Sequence, residues 1–148
     1  KASLLASFIA FGLACRYQSS GGEFGTPVLY FNLGQSLGPT LDAIHDALEE
    51  QENNKSWTLD LVPEKVCLID PSSLPIFFYS GDEITTHSVI RFSKMMLRTQ
   101  GVHLIVIDNL EQVMPFSPGI ESTKSNAEIL RRLEEMAYEL NSEVLVIV

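Results

Sequence analysis

Apolar residues fall along this chain in two kinds of block: short unbroken runs of strand length, and longer stretches in which they recur every three or four positions. Val28-Leu29-Tyr30-Phe31-Asn32-Leu33, Ile76-Phe77-Phe78-Tyr79, the 102–108 segment and Glu143-Val144-Leu145-Val146-Ile147-Val148 are of the first kind. Such runs, rich in branched and aromatic side chains, predict strands buried on both faces. Residues 2–17 predict a helix apolar all round, of the kind buried against a sheet, and Gln18 to Gly25 is a break rich in glycine and serine. After the 28–33 strand, Ser36 and Pro39 supply helix-start chemistry, and Leu37, Leu41, Ile44 and Leu48 fall at i, i+4, i+7 and i+11. That helix frays near Glu52-Asn53-Asn54. From there to Pro75 the pattern weakens, and Lys65 to Ile69, ended by Asp70-Pro71, suggests one further short strand. A helix over 83–99 carries Ile84, Val89, Phe92 and Met96 inward and is stopped by Gly101. Ser125-Asn126-Ala127-Glu128 is a capping box, and Ile129, Leu130, Leu133, Met136, Ala137 and Leu140 trace one helical stripe that Asn141 closes.

Helix and strand alternate throughout, which predicts an α/β fold: a mainly parallel sheet with helices on both faces. At 148 residues and 45% apolar, the chain is expected to form one domain over 1–148 around a single core. It starts inside a helix-like segment and stops on a bare apolar strand, so the fold is expected to be incomplete at both ends.

A net charge of −9 with ten basic residues gives no sequence-wide attraction to nucleic acid, so DNA contact would have to be local or supplied by a partner. Arg131-Arg132 sits among acids and reads as a solvated helix face. Asp42, Asp46 and Glu49 share a helix face of the same solvated kind. Cys15 and Cys67 lie 52 positions apart in apolar surroundings and read as buried thiols in a reducing, intracellular compartment. His45, His87 and His103 share no ligand spacing, and His103, inside an apolar strand, reads as a core histidine. The opening from Lys1 to Cys15 also resembles a secretory or lipoprotein signal, although Gly12 stands where the lipoprotein cleavage box usually has leucine.

The 102–108 segment ends in Asp108-Asn109, which puts a carboxylate where a loop must begin. Ligands of open α/β sheets gather beyond the carboxyl ends of such strands. An acid there either binds a ligand's metal ion or caps the following turn.

Four blocks together resemble the ATPase core of RecA and of the replicative hexameric helicases of the DnaB and mitochondrial Twinkle kind, a P-loop NTPase fold. Lys1-Ala2-Ser3 before an apolar helix resembles the end of a phosphate-binding loop, without its glycines. Val28 to Ser36, reading VLYFNLGQS, resembles the second core strand. Asp82 to Asn109, with Asp108-Asn109-Leu110-Glu111-Gln112, resembles the helix, glycine and Walker B strand. Asn126 to Val148, with Ala137-Tyr138-Glu139-Leu140-Asn141, resembles the helix and strand that follow.

The resemblance implies ATP and Mg²⁺ as cofactors, Lys1 on phosphate, and Asp108 on Mg²⁺ directly or through water. Ala2 stands where the Mg²⁺-binding hydroxyl belongs, and a methyl group cannot coordinate that cation; Ser3 replaces it only if the helix begins one residue later. The catalytic glutamate position falls on Gly34, and the alternative position after the Walker B acid falls on Asn109, so both base positions are vacant. Glu111 is a distant substitute. The loop Met114 to Glu121 stands where RecA-like proteins contact DNA, yet it has no basic residue before Lys124. The resemblance also places the first strand and glycine loop before Lys1 and the polar sensor after Val148. A first strand missing from beside 143–148 would leave two buried edges unpaired, which implies a protein partner or homo-oligomer and no membrane.

Three functions follow from the resemblance. The first is a degenerate ATPase-fold domain that binds nucleotide weakly, or does not hydrolyse it, within a DNA replication, recombination or repair assembly. The second is a non-enzymatic RecA-like interaction subunit of the Elongator kind. The third is an active DNA-dependent ATPase or helicase core whose first strand and glycines lie outside this chain.

Overall fold

A computed structural model describes residues 2–36, 38, 39, 42, 59–61, 66–69, 75–114 and 125–148. In chain order the elements are α1 (Ala2–Ser19), β1 (Val28–Leu33), β2 (Leu59–Leu61), β3 (Val66–Ile69), β4 (Ile76–Gly81), β5 (Ile84–Thr85), α2 (Thr86–Gln100), β6 (Leu104–Asp108), a 3₁₀ turn (Leu110–Gln112), β7 (Val113–Met114), α3 (Ser125–Leu140) and β8 (Glu143–Ile147). The main sheet runs β2-β3-β4-β1-β6-β8, and β5 pairs with β7 apart from it. β4, β1, β6 and β8 are parallel, as the alternation of elements predicts.

β2 and β3 are antiparallel to each other, and β3 is antiparallel to β4. Chain length accounts for this. Only residues 62–65 separate β2 from β3, and 70–75 separate β3 from β4, whereas a parallel crossover needs a dozen or more residues. β2 falls in the stretch whose pattern is weakest. The helix predicted after Ser36 lies largely outside the described residues, as do His45, Asp46, Glu49 and the 115–121 part of the loop.

Alternation along the strands sorts the core into two layers. Val28, Tyr30, Ile76, Phe78, Leu104 and Val106 face α1, which meets them with Ala6, Ala10 and Ala14. These alanines are 0–2% exposed and fall at i, i+4 and i+8, a stripe of small residues that brings the helix close to the sheet. Leu29, Phe31, Phe77, Ile105 and Ile107 face the other way, onto Val89 and Met96 of α2 and Ile129, Leu133 and Met136 of α3. Helices therefore cover both faces. Among the described residues no helix is long and apolar enough to cross a membrane.

Several local readings change. Ile84 sits in β5 rather than on a helix, because Thr85 caps α2 by accepting a hydrogen bond from the Ser88 N–H. Leu130 is 41% exposed, at the margin of its stripe. His103 precedes β6 and is exposed, with Nδ1 3.2 Å from the Asn141 carbonyl, so it is not a core histidine. Cys15 is half-buried. Gly101 and Asn141 do end their helices, both in the left-handed region at φ 68° and 49°. β8 is half-buried rather than buried, and it pairs directly with β6 from Leu104↔Glu143 to Asp108↔Ile147. Two unpaired buried edges are therefore not seen among the described residues: β6 is covered by β8, which ends the strand order.

On the outer side of α3, Glu128 accepts hydrogen bonds from Arg131 and Arg132. The Arg131 hydrogen bond, aided by the charges of both arginines, draws its carboxyl down from 4.5 to about 2. A carboxyl depressed in the folded state stabilises it above the unfolded value, and that contribution is lost as pH falls toward the folded value. Melting temperature followed by circular dichroism should thus fall more steeply between about pH 4.5 and 2 in the native chain than in Glu128→Gln; parallel curves would contradict the assignment.

Candidate functional site at the carboxyl rim

Parallel strands direct all their carboxyl ends to one rim, and on β1 and β6 the last positions facing α1 are polar. Asn32 and Asp108 are register partners there, and they are 0% and 2% exposed. Burying two polar groups at this place requires partners. The Tyr30 hydroxyl donates to Asp108 Oδ2 at 2.9 Å, and Gln35 Nε2 donates to the same oxygen at 2.9 Å. Gln35 and Asn32 also bond each other: Nδ2 of Asn32 donates to the Gln35 carbonyl at 3.0 Å, and Gln35 Nε2 lies 3.3 Å from Asn32 Oδ1. A turn at Gly34, φ 68°, returns the chain so that Gln35 reaches this oxygen, and the Gly34 N–H is fixed by the Gly81 carbonyl at 2.9 Å.

The direction of α1 brings its amino end to the same rim. Near its carboxyl end, the Leu13 carbonyl accepts from the Thr26 N–H at 3.3 Å, just before β1 begins. α1 therefore runs against the strands. From Leu13 back to Ala2 it rises about 16 Å, and β1 from Val28 to Asn32 advances about 13 Å the other way. Helix amino ends present unpaired N–H groups and a positive dipole end, both favourable to anions. Lys1 and the side chain of Ser3 lie outside the described residues.

Both vacant base positions are neutral. At Gly34 a Cβ would stand 2.9 Å from Cγ and Cδ of Gln112, so a glutamine side chain covers the place from which a longer residue would project. Asn109 is half-buried, and its Oδ1 is buried without a hydrogen-bond partner among the described residues. Glu111 is exposed on the 3₁₀ turn. Among the described residues there is no grouping of three or more His, Cys, Asp and Glu side chains able to hold a metal ion. Mg²⁺ asks for less, taking one or two carboxylates and completing its shell with water and phosphate oxygens. A single Asp108 carboxylate among amide oxygens fits that donor set.

Sequence reasoning singled out Asp108, Gly34 and Asn109 but missed Tyr30, Asn32, Gln35 and Gln112. Asn32 was visible as the one polar residue in an apolar run. The others depend on which strands are neighbours.

The chain is similar to the solved ATPase domain of a DnaB-like helicase, with a TM-score of 0.59 and 15% sequence identity over 95% of this chain and 52% of that one. It spans about half the length of that structure. No protein-family model matches the chain, and no curated protein does. At this identity the likeness establishes the fold: an α/β, mostly parallel sheet similar to a RecA-like ATPase domain.

Tyr30→Phe removes one of two donors from a buried carboxylate and should lower unfolding free energy by about 1.5–3 kcal/mol in urea. In a double-mutant cycle with Asp108→Asn the two losses should fall short of additive; full additivity would show that the pair does not interact. Gly34→Ala should cost about 1–2 kcal/mol from the left-handed backbone alone, a loss that adding Gln112→Ala does not restore.

Proposed function

We propose that this chain is a degenerate ATPase-fold domain, binding nucleotide weakly or without hydrolysis, and acting within a DNA replication, recombination or repair assembly. The observation that carries this reading is a buried Asp108 at the carboxyl rim of a parallel sheet, on the side toward which the amino end of α1 opens. Similarity to the helicase ATPase domain supports it at the level of fold. On this reading Lys1 contacts phosphate, Ser3 offers the nearest hydroxyl, and Asp108 holds Mg²⁺ directly or through water. When bound, Mg²⁺ neutralises charge on the outer phosphate oxygens. Asn109 Oδ1 is an acceptor that a ligand hydroxyl or water would satisfy.

Hydrolysis also needs a group that positions and deprotonates water. Gly34 has no side chain and is covered by Gln112, while Asn109 is an amide that cannot take a proton. Loss of such a base costs about 10²–10⁴ in rate.

A second reading, an interaction subunit without nucleotide, is favoured by one specific fact. Oδ2 of Asp108 already accepts from Tyr30 and Gln35, so the acid ties β1 to β6 whether or not a ligand is present. Homo-oligomerisation or a protein partner, in an intracellular setting, is part of both readings.

Thermal melting with ATP and Mg²⁺ separates them. At ten times its dissociation constant a ligand that binds only the folded chain adds about 1.4 kcal/mol, or roughly 2–4 °C. We expect that shift in the native chain, none in Asp108→Asn, and turnover far below that of a base-bearing ATPase. No shift at saturating ATP, with a stoichiometric protein partner recovered, would favour the second reading; rapid turnover would end the first.

A further inference from the structure

The excess negative charge of the chain is not evenly spread. Four of its ten lysines and arginines, Arg91, Lys94, Arg98 and Arg132, line one cavity of about 390 Å³ between α2 and α3. His87, Arg91, Lys94 and Arg98 recur on α2 at i, i+4, i+7 and i+11, which makes them a single stripe about 16 Å long. Lys94 reaches Glu139 at 3.6 Å, and Arg132 reaches Glu128 at 3.1 Å. Arg91 and Arg98 are exposed and form no ion pair among the described residues; Arg91 instead lies over the Phe92 ring, 5.4 Å from its centroid.

The groove has a further asymmetry. Half-buried Ile90 and buried Met136 contribute apolar surface to it, and Glu135 and Glu139 of α3 stand across from the basic stripe. A phosphate backbone laid along the arginines would run beside those carboxylates, on a chain already at −9, so charge argues against nucleic acid. A helix with an apolar ridge, acids on one flank and bases on the other matches all three walls. Arg91 and Arg98 are seven residues apart, two helical turns or about 10.5 Å, so acids seven residues apart on a helix lying alongside would meet both.

We propose that the groove between α2 and α3 docks an amphipathic helix of another protein, with Arg91 and Arg98 pairing acids two turns apart on its flank. The site lies on the face opposite Asp108 and does not depend on nucleotide binding. Opposite charges at such a surface steer encounter and fix register more than they supply affinity, so binding should weaken with salt.

The test uses a fluorescein-labelled helical peptide of about 20 residues, with a leucine ridge, two glutamates seven apart on one flank and lysines on the other. Fluorescence anisotropy should show salt-sensitive binding to the native chain and about tenfold weaker binding to the Arg91→Glu, Arg98→Glu double variant. A peptide carrying lysines in place of those glutamates should bind the double variant better than it binds the native chain, a reversal that a misfolded variant cannot give. Three results would overturn the proposal. One is peptide binding that is absent or indifferent to both arginines. Another is a single-stranded oligonucleotide whose binding requires them. The third is self-association in sedimentation that the double variant abolishes, which would assign the groove to a second copy of this chain.

Discussion

β1 is hydrogen-bonded along both edges and buried on both faces, and everything else in the molecule is placed relative to it. Its parallel pairing with β4 and β6 fixes the register in which Asn32 stands beside Asp108 and Tyr30 beside Val106. A slip of one residue would send Tyr30 and Asn32 to the opposite layer, away from α1, and set Phe31 and Leu33 where polar groups now meet. The apolar run therefore does more than fill a core. It determines which side chains can reach the rim at all.

The same register gives Asp108 two roles that compete. As a buried acid it needs donors, and Tyr30 and Gln35 supply them from the neighbouring strand and the turn beyond it. As a ligand for a hard cation it needs access to solvent or phosphate. Both can hold where the cation is reached through water, because the bonds to Oδ2 orient the carboxylate without enclosing it in apolar surface. The neutral residues around it, with Gln112 packed over Gly34, leave no group positioned to activate water. Retention of the acid beside loss of the bases is what separates nucleotide binding from turnover on this fold.

Charge is organised on a different principle from the rim. The acids of α3 and the bases of α2 face each other across one groove, where Lys94 and Glu139 already pair. A uniform surface would have scattered these charges, and net charge alone hides the segregation because the two flanks nearly cancel.

Local pattern determined the kind of each element and the polarity of the sheet. Four apolar runs joined by helical stretches leave little choice but parallel strands between helices, and Gly101 and Asn141 mark their helix ends by the left-handed backbone they adopt. Asp108, Gly34 and Asn109 were legible for the same reason, each lying at the end of a strand-length run. Local pattern did not determine neighbours. That β2 and β3 turn antiparallel, that β8 lies directly on β6, and that His103 is exposed all follow from which chain segments meet. So do the bonds from Tyr30 and Gln35 to Asp108, the cover of Gln112 over Gly34, and the facing charges of α2 and α3. Periodicity reports which side of an element is apolar, a property of a few consecutive residues. The partner across that side is chosen by packing among residues some 70 or more positions apart, as with Tyr30 and Asp108, and only the folded chain brings them together.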